Sequence, residues 1–148
     1  MIQLEGIRLK RILSTFIATV LLITCCIGTS LAASEVDTYA SLTLSYYYAE
    51  MFNGGKGKAS IDFYVSSNKF VDEIGVDSIK IYESDGDYVK TISGTISNGL
   101  IGLDSYEHGD FYDVSLSPGS YYAKVTVFAT LGSVTDSRTI TTSTVRVS

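Results

Sequence analysis

The sequence has few of the residues that stabilise small extracellular domains or build common catalytic sites. Among its 148 residues are two cysteines, one proline, one histidine and no tryptophan. Both cysteines, Cys25 and Cys26, lie in an apolar stretch near the N-terminus. A chain that begins after this stretch therefore has no disulfide and no thiol chemistry.

The charged residues are also few, at 18% of the chain, whereas hydrophobic residues make up 45%. This balance excludes a disordered chain, and the length suits one domain. The formal net charge is -5, of which the first 33 residues contribute +2, so the remainder carries -7. Basic residues in that remainder are scattered singly. We therefore expect neither nucleic-acid binding nor attraction to anionic lipid.

The N-terminal segment has the composition of a secretory signal peptide. Three basic residues precede an apolar run over residues 12–27, and small residues follow it. This pattern predicts a hydrophobic signal helix within residues 1–33, cleaved after Ala32 or Ala33. An uncleaved membrane anchor is the alternative. A lipoprotein is disfavoured because Thr24, not a small residue, precedes Cys25.

The remainder, residues 34–148, shows the two-residue alternation of β-strands and no convincing helix. Turn signals recur every 8 to 12 residues, which predicts an all-β, antiparallel β-sandwich of about seven to eight strands. Asp85-Gly86 predicts a hairpin. Two stretches lack strand periodicity: residues 66–77 are predicted as a loop with one helical turn, and residues 104–110 as an acidic loop. The predicted strands cover residues 42–48, 59–65, 79–82, 88–92, 95–103, 111–116, 121–129 and 137–147.

The stretch from Leu116 to Val125 (LSPGSYYAKV) resembles the turn that enters strand F of immunoglobulin-like and fibronectin-type domains. This resemblance implies an immunoglobulin-like sandwich in which Tyr121 is a "tyrosine corner", with its hydroxyl bonded to nearby backbone. The sequence lacks the cysteine pair and the strand C tryptophan of antibody domains, so only the architecture carries over.

A second resemblance covers most of residues 34–148. The segment from Val71 to Glu83, the Pro118-Gly119 turn and the strand from Val125 to Ala129 resemble small exported proteins of Gram-positive bacteria in an uncharacterised family. This resemblance implies export and an immunoglobulin-like sandwich. It implies no known activity.

The densest group of polar side chains is acidic. Hard carboxylate oxygens suit Ca²⁺, but the spacing here does not match an EF-hand. We expect an acidic loop exposed to solvent, with calcium binding as the alternative. His108 lies in the same stretch without a second histidine or a cysteine, so no zinc site is expected. The candidate metal ligands are Asp104, Glu107, Asp110 and Asp113.

Eleven tyrosines with no tryptophan are the other bias in composition. Tyrosine combines apolar area with a polar tip, which suits contacts with sugars and proteins. Tyr46, Tyr47 and Tyr48 are consecutive, so in a strand at least one of them faces away from the protein core. These three are the candidate partner-binding residues, although tyrosine is also an ordinary strand residue.

No catalytic motif or cofactor-binding motif occurs in residues 34–148, and the glycines around Asn53 to Gly57 lack the spacing of a phosphate-binding loop. We therefore expect a secreted or cell-surface protein that is not an enzyme and needs no cofactor. Its expected role is binding or structural, with an extracellular protein or glycan as partner. A glycan-binding module, with or without calcium, is the alternative. Contact with a membrane is expected only through an uncleaved leader.

Overall fold

The computed structural model describes residues 43–148, and this part of the chain is built of β-strands with no helix. It therefore contains no helix long and apolar enough to cross a membrane. The predicted all-β class is confirmed. The predicted signal helix over residues 1–33 lies outside the described residues. The seven strands are β1 (Leu44–Gly55), β2 (Lys58–Glu83), β3 (Tyr88–Ser93), β4 (Ile101–Ser115), β5 (Gly119–Leu131), β6 (Val134–Thr141) and β7 (Val145–Val147).

All seven strands belong to one antiparallel sheet in which β2, with 26 residues, is the central strand. The first half of β2, residues 58–67, lies between β1 and β4. Its second half, residues 73–83, pairs with β5 on one side. On the other side, β4 pairs with β2 as far as Gly75, and β3 pairs with β2 from Ser78 onward. The sheet is completed by β6 and β7, which both pair with β5.

The length of β2 corrects the predicted loop at residues 66–77, which is continuous strand. Buried residues alternate up to Ser67, but the next ones are Val71, Ile74, Gly75, Val76 and Ile79. The register of β2 shifts against β4 between Ser66 and Val71, and against β5 between Val76 and Ser78. Each irregularity moves the inward-facing positions along the strand. The two-residue period is therefore lost although the strand continues.

The predicted acidic loop at residues 104–110 is also strand, inside β4. The weaker strand predicted for residues 95–103 is wrong over most of its length, because residues 96–99 form a turn and β4 begins at Ile101. Residues 104–110 form a strand because they pair with β2. This pairing supplies backbone hydrogen bonds to residues whose polar side chains face solvent. Asp104, with a φ of +47°, marks an irregular point in β4.

One of two predicted turns is confirmed. Asp85-Gly86 joins β2 to β3, where Tyr82 pairs with Tyr88 and the amide of Gly86 donates to the carbonyl of Glu83 over 2.9 Å. The turn predicted for residues 117–120 is shorter than expected: Pro118 lies in a bend, whereas Gly119 and Ser120 already belong to β5. The predicted last strand is interrupted: the amide of Thr142, between β6 and β7, donates to the carbonyl of Ala123 over 2.9 Å.

One hydrophobic cluster takes residues from both halves of β2. Its largest fully buried members include Phe63 and Ile61 from the first half and Ile79 and Ile81 from the second. The other strands that contribute to it are β1, β4, β5 and β7. Both stretches of sheet therefore bury one face on the same core and leave the other face to solvent.

A polar contact ties the start of β1 to β6. Asp136 accepts hydrogen bonds from the amides of Thr43 and Leu44, each over 3.4 Å. Arg138 Nη1 lies 2.8 Å from the other carboxylate oxygen of Asp136. Because this carboxylate is largely shielded from water, the contact helps to hold the first strand against the far side of the sheet.

Candidate functional site

The three consecutive tyrosines of β1 do not share a face. Tyr47 packs against the hydrophobic core, whereas Tyr46 and Tyr48 lie on the solvent side of the sheet. Pairing places Tyr48 directly opposite Tyr64 of β2. The structure thus brings together Tyr46 and Tyr48 of the predicted binding residues, and it replaces Tyr47 with Tyr64.

The rings of Tyr46, Tyr48 and Tyr64 form one cluster. The ring centroids of Tyr48 and Tyr64 are 6.1 Å apart, with an angle of 17° between the planes. The ring of Tyr46 is tilted against both, at 6.2 Å from Tyr48 and 6.0 Å from Tyr64. These separations lie in the range where aromatic rings attract one another.

Two carboxylates hold two of these rings. The hydroxyl of Tyr48 donates to Asp62 Oδ2 over 3.2 Å, and the hydroxyl of Tyr64 donates to Glu107 Oε2. The hydrogen bond to Glu107 raises the pKa of Tyr64, with smaller effects of desolvation and of the Glu107 charge. Desolvation and the neighbouring charge of Asp62 raise the pKa of Tyr48. The hydrogen bonds of the two hydroxyls fix the orientation of the rings.

A glycine in β4 makes room for Tyr64. Gly109 pairs with Tyr64 across the strands, and a Cβ atom on Gly109 would lie 3.0 Å from the Tyr64 ring and 2.9 Å from the carbonyl oxygen of Phe63. Beside these rings lies an open cleft of about 540 Å³. The cleft combines aromatic and acidic side chains, and its lining comprises Tyr48, Asp62, Phe63, Tyr64, Glu107, His108, Gly109, Asp110 and Phe111.

The carboxylates on this face lack salt-bridge partners in the part of the chain that the structure describes. Glu50 of β1 lies directly opposite Asp62 of β2, an arrangement that costs stability because like charges face each other. Within residues 43–148, no lysine or arginine forms a salt bridge with Glu50, Asp62 or Glu107. A surface that keeps such charges together is suited to a ligand that supplies hydrogen-bond donors or positive charge.

Two phenylalanines extend the aromatic surface. Phe111 of β4 pairs with Asp62 and is 67% exposed, and Phe52 of β1 pairs with Ser60 and is 45% exposed. Large apolar side chains gathered on one exposed face are typical of contact surfaces. We call this surface the acidic tyrosine face, and define it by Tyr46, Tyr48, Tyr64, Glu50, Asp62, Glu107, Phe52 and Phe111.

The four candidate metal ligands are spread along β4. Pairing puts Glu107 opposite Ser66 and Asp113 opposite Ser60 on the outer side, whereas Asp110 is opposite the inward-facing Phe63. The carboxylate of Asp113 forms a salt bridge of 3.6 Å with Lys58. Within residues 43–148, no group of three or more histidine, cysteine, aspartate or glutamate side chains is placed to hold a metal ion. Calcium binding stays an alternative prediction for these carboxylates.

The ring of His108 is held by a hydrogen bond and by close packing. Its Nε2 atom is 2.8 Å from the carbonyl oxygen of Gly99, and its ring centroid is 5.7 Å from that of Phe63. A Cβ atom on Gly102 would lie 2.8 Å from Nδ1, so the ring fits closely against the start of β4. This side chain joins the turn before β4 to the edge of the core.

Tyr121 is confirmed as a buried residue near the start of β5, at 4% exposure. Its ring fits closely against Gly119, where an added Cβ would lie 2.8 Å from the hydroxyl. No hydrogen bond joins this hydroxyl to the backbone in the part of the chain that the structure describes. The expected tyrosine-corner bond is therefore not seen, and packing against Gly119 takes its place.

A second group of tyrosines occupies the outer side of the second half of β2. Tyr82 pairs with Tyr88 of β3 on one side and with Tyr122 of β5 on the other. The centroids of Tyr82 and Tyr122 are 5.3 Å apart with nearly parallel planes, and those of Tyr82 and Tyr88 are 5.9 Å apart. Lys80 and Lys124 pair with each other in the next row, and Lys124 Nζ lies 5.3 Å from the centre of the Tyr82 ring. We call these five residues the lysine–tyrosine face.

No protein-family model matches the chain, and no curated protein is similar to it in sequence. The geometry of these faces is therefore the basis for a functional proposal.

Five residues of the acidic tyrosine face were not predicted from the sequence: Glu50, Phe52, Asp62, Tyr64 and Phe111. The alternation around Ile61 and Phe63 was a usable signal, because it places Asp62 and Tyr64 on the polar side of a strand. It does not tell which residues of other strands lie beside them. That information depends on the register of three strands.

Proposed function

We propose that this protein is an exported, non-enzymatic binding domain whose contact surface is the acidic tyrosine face. The observation that carries the proposal is the cluster of Tyr46, Tyr48 and Tyr64, fixed by hydrogen bonds to Asp62 and Glu107. Rings held in this way lose little conformational entropy on binding. The partner we propose first is a protein at the cell exterior.

The proposed scaffold is an immunoglobulin-like β-sandwich. Support comes from the central strand β2, whose two halves have different neighbours yet contribute to one buried cluster. The contact between Asp136 and the start of β1 also agrees with two layers closing over a core. On such a scaffold, the acidic tyrosine face is the exposed outer side of one layer.

A glycan is the second candidate ligand. The cleft of about 540 Å³ beside Tyr64 favours it, because that volume is in the range of small-molecule sites. Aromatic rings pack against the apolar faces of sugars, and carboxylates such as Asp62 and Glu107 accept hydrogen bonds from sugar hydroxyls. This candidate needs no catalytic group and no cofactor.

A screen of saccharides and cell-wall polymers tests the two candidates, with calcium and with chelator. We expect a saccharide ligand, if the second candidate holds, to lose at least about tenfold in affinity on Tyr64→Ala, because stacking on an aromatic side chain is lost. The matched control is Tyr88→Ala, which removes an exposed tyrosine from the other face. A screen without any saccharide ligand leaves the protein partner as the proposal.

The test of the first candidate is binding to intact producing cells. We expect Tyr46→Ala with Phe111→Ala to abolish binding, because it removes two aromatic side chains from the proposed contact surface. Both side chains are exposed, so their removal costs no core packing. Unchanged binding of this double variant would contradict the proposed contact surface.

Export is part of the proposal and has its own measurement. N-terminal sequencing of protein recovered outside the cell should begin at Ala33 or Ser34, as expected for signal peptidase cleavage. Recovery only of the intact chain in the membrane fraction would instead support the uncleaved anchor.

A further inference from the structure

The two tyrosine faces of the molecule have opposite charge. On the acidic tyrosine face, Glu50, Asp62 and Glu107 form no salt bridge within residues 43–148. On the lysine–tyrosine face, Lys80 and Lys124 are both exposed and likewise have no salt bridge among the described residues. Each face therefore carries the charge that the other attracts.

We propose that the acidic tyrosine face of one molecule binds the lysine–tyrosine face of a second copy of this chain. This proposal rests on the proposed function, because it names the protein partner of the same acidic face. The two faces are different, so the contact is heterologous: a pair of bound copies still offers one free acidic tyrosine face and one free lysine–tyrosine face. Repetition of the contact produces head-to-tail chains of molecules.

The arrangement of side chains on the two faces supports the contact. Tyr82, Tyr88 and Tyr122 form a row across three strands, and the next row contains Lys80 and Lys124. Thr91 pairs with Lys80 and Thr141 pairs with Lys124, so no carboxylate lies in the lysine row.

The acidic tyrosine face has a matching order. The Tyr48–Tyr64 row is followed by the row of Glu50, Asp62 and Phe111. Neighbouring rows on one face are about 7 Å apart, which is two residues along a strand. When the faces oppose each other, rings can meet rings while lysines meet carboxylates.

The size of the faces predicts a weak contact. Three strands about 4.8 Å apart and four rows about 7 Å apart cover roughly 400 Å². A stable interface buries about 800 Å² on each partner. We therefore expect association at micromolar to millimolar concentrations, where tyrosine packing and charge attraction act together. Salt should weaken it, since exposed charges are screened beyond about 10 Å at 0.1 M ionic strength.

Sedimentation velocity of the purified protein tests this proposal. We expect the weight-average sedimentation coefficient to rise with concentration in low salt and to rise less in about 1 M salt. The variant Glu50→Lys with Asp62→Lys makes both faces basic, and Lys80→Glu with Lys124→Glu makes both acidic. Each should weaken association at least about tenfold, because like charges then face each other.

The decisive variant carries all four substitutions. It exchanges the charges of the Glu50–Asp62 pair and the Lys80–Lys124 pair and has the net charge of the natural protein, so we expect its association to return. An isologous contact of one face with itself would not be restored. Lys56→Glu with Lys69→Glu is the matched control: it changes net charge as the lysine-face variant does, at exposed positions outside both faces. We expect this control to associate like the natural protein.

Three results would overturn the proposal: a monomer at every concentration, no recovery in the fourfold variant, or an equal loss in the control. Circular dichroism verifies folding, and Lys80→Gln with Lys124→Gln provides a milder variant if the charge reversal unfolds the chain. The protein with Lys80→Glu and Lys124→Glu retains its acidic tyrosine face. If it still binds producing cells while the natural protein is monomeric, the self-contact is wrong and the proposed function stands.

Discussion

Gly75 should be among the least replaceable residues of this protein. It lies in the middle of β2, where it pairs with Ile101 of β4 and with Phe128 of β5. Its φ of +148° is one that other residues rarely adopt. A Cβ atom there would lie 2.1 Å from the carbonyl oxygen of Leu100, which accepts a hydrogen bond of 2.8 Å from the amide of Val76.

The magnitude for Gly75→Ala follows from these contacts. Strain in the backbone costs about 1 to 3 kcal/mol. The loss of the Val76–Leu100 hydrogen bond adds about 0.5 to 1.5 kcal/mol. Displacement of Leu100, which is fully buried, adds a further packing loss. We expect the free energy of unfolding to fall by about 3 to 5 kcal/mol, and the melting temperature by at least about 12 °C.

Two other glycines separate strain from collision in the same assay, urea unfolding followed by circular dichroism. Gly86 has a φ of +104° in an open turn with nothing within 4 Å of an added Cβ, so Gly86→Ala should cost only about 1 kcal/mol. Gly94 lacks a positive φ, but its Cβ would lie 1.8 Å from the carbonyl oxygen of Val76. Gly94→Ala should therefore resemble Gly75→Ala. If Gly75→Ala lost no more stability than Gly86→Ala, the collision argument would be refuted.

Three further outcomes are expected. Tyr121→Phe should change the free energy of unfolding by less than about 0.5 kcal/mol, because the hydroxyl has no hydrogen bond within residues 43–148; Gly119→Ala should destabilise more, since its Cβ collides with that hydroxyl. The pKa of Tyr64 is raised in the folded protein, so the contribution of Tyr64 to the free energy of unfolding is complete below about pH 10 and is lost as the pH rises through the pKa of the folded state. Glu107→Gln should lower this pKa, which an ultraviolet titration measures. Melting curves in millimolar calcium and in chelator should coincide; a calcium-dependent rise that Asp110→Asn abolishes would show a metal site.

The sequence by itself determined the structural class of this protein. Alternation of apolar and polar residues, as from Tyr121 to Ala129, predicts strands because side chains in a strand point to opposite faces. Asp85-Gly86 predicts a turn because both residues tolerate the backbone angles of a hairpin. These signals are local: each depends on a few neighbouring residues. They were sufficient for an all-β chain.

The tertiary structure alone decided where strands bend and which side chains meet. Asn53 pairs with Ala59, yet Gly55 pairs with Lys58, so a one-residue irregularity beside the first turn sets the register that brings Tyr48 opposite Tyr64. The register shifts within β2 break the alternation of buried and exposed residues, so periodicity does not predict a strand in its middle.

The acidic residues of β4 are a second example. Their local sequence predicts a loop, and only their pairing with β2 makes them a strand. Opposite charge on two distant faces likewise depends on pairings between residues far apart in the chain. Short-range patterns in the sequence contain no record of those pairings.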